Sequence, residues 1–113
     1  MLFRSTVVQP DLCVFLDRSQ IDERGAVGAP DWIVEVISAV SLLQDTQLKF
    51  ELYAEFGVRE YWLVSPGEKA VIVCHLVAGR YEVAGIHQEA GPVSSLTLPE
   101  MLLEWADVFE GMA

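Results

Sequence analysis

Apolar and polar positions along the chain fall into blocks that switch between two periods. Trp32-Ile33-Val34-Glu35-Val36-Ile37-Ser38 is a short, β-branched run behind Pro30, the pattern of a buried strand. From about Leu42 to Gly57 the pattern becomes helical, with Ser41 at the N-cap and Gly57 at the C-terminal stop. With Leu48 as origin and about 100° per residue, Leu52, Tyr53 and Phe56 fall in one broad apolar arc. Asp45 and Lys49 lie inside that arc, Gln44, Gln47, Glu51 and Glu55 point away, and Leu43 and Phe50 fall on the far side. Tyr61-Trp62-Leu63-Val64 is a second compact strand, stopped by Ser65-Pro66-Gly67. Strand, helix and strand so close together predict a right-handed βαβ crossover with parallel strands.

The flanking blocks extend this unit. Val7 to Leu16 predicts an earlier strand, with Pro10 at its start or edge, and Asp17 to Ala29 a polar loop. Ala70 to Val77 and Arg80 to Ile86 predict a hairpin turning on Ala78-Gly79. Leu96 to Leu98 reads as a short edge strand, and Pro99 as the opening of a last helix, Glu100 to Phe109, with Glu104, Asp107 and Glu110 on its solvated side. There is no internal repeat or domain boundary, so residues 1–113 read as one α/β domain.

Composition sharpens the picture in a few respects. An apolar fraction of 52% with 21% charged residues supports a real core. No apolar run is long enough to span a bilayer and no signal-peptide pattern opens the chain, which predicts a soluble, cytoplasmic protein. Cys13 and Cys74 sit singly in apolar runs and read as small buried hydrophobes. Without paired cysteine spacings, and with His75 and His87 isolated, no zinc site is indicated. A net charge of −10 excludes a general nucleic-acid binder, which needs a basic patch. It leaves room for a metal-dependent nuclease, whose carboxylates count as negative until a cation occupies them.

Candidate chemistry begins at Glu35. Side chains alternate along a strand, so Ile33, Glu35 and Ile37 share a face. A carboxylate there is costly unless a metal, a cation or a proton offsets it. The helix offers Lys49, either in an i,i+4 pair with Asp45 or converging with Glu35 on one site. Asp11 is a second carboxylate at the mouth of the first strand, on the face of Cys13 and Phe15; it reads equally as a strand-entry residue after proline.

In order, the chain carries Val-Gln-Pro-Asp11, Ala-Pro-Asp-Trp-Ile-Val-Glu35-Val-Ile-Ser38, Asp45-x-x-x-Lys49-x-x-x-Tyr53 and Gly57-Val58-x-Glu60-Tyr61-Trp62-Leu63-Val64. From about Val7 to Phe109 this closely resembles the Uma2 family of endonucleases, once catalogued as DUF820, in the PD-(D/E)XK or restriction-endonuclease-like superfamily. The resemblance implies a mixed β-sheet with flanking helices and a Mg²⁺-dependent (or Mn²⁺-dependent) phosphodiesterase acting on DNA. Asp11 and Glu35 match its metal ligands. Lys49 matches a lysine this family carries on the helix, and Ile37 stands where related nucleases have theirs. Asp45 and Tyr53 take supporting places. The chain departs from the family in three ways. It begins almost at the Pro-Asp motif, which implies that the N-terminal part of the family fold is missing. It lacks the arginines usual between Ser38 and Asp45, and it has Ser65 where an aspartate is frequent. An opened sheet edge predicts pairing with a second copy, a homodimer. The alternative reading is a catalytically inactive α/β module acting in dimerisation or protein binding.

Overall fold

The structure is a computed structural model. It describes residues 2–3, 6–7, 10–26, 28–37 and 42–110, with the backbone alone for 2–3, 6–7 and 42–46. Its elements are β1 (Leu2–Phe3), β2 (Thr6–Val7), β3 (Leu12–Val14), β4 (Ile21–Asp22), β5 (Gly25–Ala26), β6 (Trp32–Val36), α1 (Leu42–Glu55), β7 (Glu60–Ser65), β8 (Ala70–Val77), β9 (Arg80–His87) and α2 (Trp105–Phe109).

The central sheet has five strands in the order β3-β6-β7-β8-β9. β6 and β7 run parallel, with Ile33 beside Tyr61 and Glu35 beside Leu63, as the βαβ reading requires. The other neighbours are antiparallel, so the sheet is mixed. Alternation along each strand sends side chains into two cores. On one face α1 packs Tyr53, Phe50 and Leu52 against Ile33, Tyr61, Leu63 and Cys74. On the other, Trp32, Trp62, Val64, Val71 and Val73 are covered by Val93 and the C-terminal segment through Phe109. The central strands are buried on both sides, which is why they read as continuous apolar runs. The β8–β9 hairpin turns on Ala78 and Gly79, both at positive φ (52° and 80°), the conformation a two-residue turn between twisted strands needs.

Several expectations are corrected. The buried arc of α1 is centred nearer Tyr53 than Leu48: Leu48 is 66% exposed, while Phe50 packs its ring 5.3 Å from Tyr61 and 5.7 Å from Tyr81. The flank that carries Phe50, outside the main arc, is covered by a second aromatic surface, Tyr81 of β9. Leu96–Leu98 forms no strand, because the Leu96 and Thr97 N–H groups donate to the buried Glu60 carboxylate instead of a ladder. The last helix is shorter than predicted. Residues 101–104 run alongside Gly91–Val93, with Val93 N–H on the Leu103 carbonyl and Trp105 N–H on the Gly91 carbonyl, so the helix starts only at Trp105. There Glu104 and Asp107 form a capping box. The early strand is interrupted around Pro10 into β2 and β3. The polar loop holds a 3₁₀ turn, Arg18–Gln20, and the small β4–β5 hairpin. Cys74 is buried as expected and Cys13 only partly; both are free thiols. Ser38 and Ser41 lie outside the described residues.

Candidate active site

The site forms where β3, β6 and β7 meet α1. Glu35 points from β6 into the α1 face and is 3% exposed. Among the described residues, three donors reach its carboxylate. Lys49 Nζ lies 2.9 Å from Oε2, Tyr53 OH 2.8 Å from Oε1, and Tyr61 OH 3.0 Å from Oε2. The helix therefore supplies two of the donors at i and i+4, one turn apart on one side, and the parallel neighbour strand supplies the third. The Lys49 ammonium answers the charge of Glu35, and its side chain keeps 37% exposure, so the pair opens to solvent on the lysine side.

Asp11 sits just before β3. The β3–β6 register pairs Leu12 with Val34 and Cys13 with Ile33; carried one step further it sets Asp11 beside Glu35. The Asp11 Oδ2 accepts the Val36 N–H at 2.7 Å, which ties this exposed carboxylate to the peptide following Glu35. Glu35, Lys49 and Tyr53 thus come together as the sequence indicated, and Asp11 flanks them. Asp45 lies on α1, but its side chain is outside the described residues, so its proposed i,i+4 pairing is too.

Tyr61 escaped the sequence reading as a site residue. The signal was present: in the parallel pair it stands beside Ile33, on the face of Glu35, but seeing it needs the inter-strand register. Burial and the neighbouring Glu35 carboxylate push both phenols, Tyr53 and Tyr61, well above the usual tyrosine range, so both remain hydroxyl donors. The rings of Tyr53 and Tyr61 meet edge to face at 5.2 Å, which fixes the two hydroxyls relative to each other.

The donor set at this site bears on whether a divalent metal fits. It is all oxygen and carries two negative charges, which suits a hard cation that keeps several waters. A carboxylate offers about four acceptor positions. Among the described residues, three of Glu35's are taken, leaving one on Oε1, and Asp11 Oδ1 takes no donor. The two residues fit as a two-carboxylate site. Among the described residues no three His, Cys, Asp or Glu side chains converge, so any further ligands would be water or substrate.

A second buried carboxylate lies on the opposite face. Glu60 is fully buried and accepts from Trp62 Nε1 (2.6 Å), Ser95 Oγ (2.8 Å), Leu96 N–H (3.1 Å) and Thr97 N–H (2.8 Å). No cation reaches it among the described residues; it pins the 95–97 loop to β7 and belongs to the scaffold.

A family model described as "Putative restriction endonuclease", that of Uma2, matches residues 2–106. The chain belongs to the Uma2 family. A solved structure of a "putative nuclease belonging to DUF820" from Anabaena variabilis superposes with a TM-score of 0.70 at 25% identity. The superposition covers 91% of this chain and 60% of that one, so this Uma2 chain spans about three-fifths of that relative. No curated protein matches. The fold is therefore that of this nuclease family. No helix among the described residues is long and apolar enough to cross a membrane.

Proposed function

We propose that this Uma2 protein is a metal-dependent endonuclease that hydrolyses DNA phosphodiester bonds at Glu35, Lys49 and Asp11. The observation that carries this reading is the meeting of a buried strand carboxylate with a half-exposed helix lysine at 2.9 Å, flanked by a solvent-facing carboxylate, in a chain of a nuclease family.

Asp11 and Glu35 would hold Mg²⁺ or Mn²⁺. The cation supplies Lewis-acid activation of phosphate and water. Tyr53 and Tyr61 orient Glu35 by donating to it from a dry core, so the carboxylate is set before substrate arrives. Lys49 reaches the solvent side and places a positive charge where the pentavalent phosphorus would gather negative charge. The acidic surface gives DNA little to hold without a cation, so binding and chemistry share the same metal requirement.

The inactive-module reading is favoured by one observation: Glu35 is satisfied by Lys49, Tyr53 and Tyr61 with no metal at all. Cleavage separates the two. Supercoiled plasmid should be nicked by the protein in Mg²⁺ or Mn²⁺ and left intact in a chelator. Lys49→Met should lower the rate by at least ~100-fold, the scale seen when one charge-stabilising donor is removed. Wild-type nicking in chelator, or undiminished nicking by Lys49→Met, would remove these residues from the chemistry.

A further inference from the structure

The three donors on Glu35 are not equivalent. Tyr53 and Tyr61 are neutral and have no solvent exposure; their rings are locked in the core with Ile33, Leu63 and Cys74. They cannot leave the carboxylate without opening the α1 face. Lys49 alone is charged, and its side chain is 37% exposed on a flexible four-carbon stem. Only this donor can exchange with solvent while the core stays closed.

We propose that Lys49 is the resident counter-cation of Glu35 and competes with divalent metal for that carboxylate. The inference rests on the nuclease reading above and adds a regulation of the same site. A buried carboxylate needs a positive partner. Without metal the Lys49 ammonium, 2.9 Å from Oε2, supplies it and the α1 face stays packed. When a dication arrives, the ammonium beside it is repelled and swings to solvent, where it is free to meet a substrate phosphate. Metal entry and release of the lysine are then one event. The apparent metal affinity is lowered by the cost of displacing Lys49, so the site fills only where divalent cation is ample.

The test measures Mn²⁺ binding to the full chain by titration calorimetry, for wild type, Lys49→Met, Lys49→Gln and Lys49→Arg. Removing the charge should tighten Mn²⁺ binding by about tenfold in the Met and Gln variants, with Lys49→Arg close to wild type. Without metal Lys49→Met should melt below wild type, and saturating Mn²⁺ should close that gap, because metal then replaces the missing ammonium. A wild-type readout stands apart from variant folding. The chain has two lysines, Lys49 and Lys69. Mn²⁺ should raise reductive methylation of Lys49 relative to the exposed Lys69, read by mass spectrometry. If wild type binds Mn²⁺ while folded Lys49→Met binds it equally or more weakly, or Lys49 labelling stays constant, the competition is overturned and the nuclease reading survives. If no form binds Mn²⁺, the metal-dependent reading falls, and the competition with it.

Discussion

Glu35 shows how a charged residue is kept inside an apolar sheet. Isolated there it would cost several kcal/mol; with one cation and two hydroxyls it is matched. A hydrogen bond to a charged group contributes ~1.5–3 kcal/mol. Tyr53→Phe and Tyr61→Phe each remove one such donor and little volume, so each should destabilise the protein by roughly 1.5–3 kcal/mol, read as a lower urea midpoint with unchanged slope. A loss near zero in both would mean that the hydroxyls do not hold Glu35. The chain's three tyrosines also share a titration behaviour. Burial, and for Tyr53 and Tyr61 the adjacent carboxylate, raise all three above the ordinary value of 10.0. Their contribution to stability is complete below pH ~10 and falls as pH rises further, because the unfolded chain then releases protons that the folded chain retains. The tyrosinate absorbance should therefore stay absent through pH ~10 and appear together with loss of the helical circular dichroism. Stepwise ionisation of a folded chain near pH 10 would contradict the burial.

At the scale of elements, the 95–97 loop is fastened to β7 by one side chain. Glu60 gathers the Trp62 indole N–H of its own strand, and a hydroxyl and two backbone N–H groups from a loop that has no ladder of its own. Glu60→Ala leaves these donors without an acceptor, at ~1–3 kcal/mol for each that stays buried. Destabilisation of at least 3 kcal/mol is expected in urea unfolding, with faster hydrogen exchange at Leu96 and Thr97; Glu60→Gln, which keeps an acceptor oxygen, should lose less. This latch marks where the sequence was hard to read. The strands around Glu35 were legible because apolar β-branched runs admit one interpretation, and the helix lysine was legible because it stood on the apolar side. Leu96–Leu98 looked like a strand because an apolar-polar-apolar triplet carries no sign of a distant carboxylate. Leu48 and Phe50 exchanged places because a helix covered by both β7 and β9 buries more than one arc. Tyr61 was hidden by register, which single-strand patterns do not encode.

On the scale of the whole molecule, charge opposes the proposed substrate. A net charge of −10 with seven scattered basic residues offers no phosphate track. A duplex should be bound weakly or not at all without divalent cation at ~0.15 M salt. Lys49→Met, expected not to cleave, should shift a DNA duplex in a gel only when Mn²⁺ is present. Tight metal-free binding would place the DNA on some other surface. The family fold sets the site in a mixed sheet with a core on each side: one face carries Glu35, Lys49 and Tyr53, and the other carries Glu60 and its loop. Changes at Glu35 should thus leave the C-terminal face intact, which makes Glu35→Gln a clean probe.

The most direct measurement is the initial rate of plasmid nicking in Mn²⁺ at low salt by wild type beside Glu35→Gln, both purified identically and shown to be folded. Glu35→Gln keeps the shape and one acceptor of the side chain but loses the charge. Nicking by wild type with loss of at least ~100-fold in Glu35→Gln is the predicted result. Equal rates for the two, or no nicking by either, would contradict an endonuclease site built on Glu35.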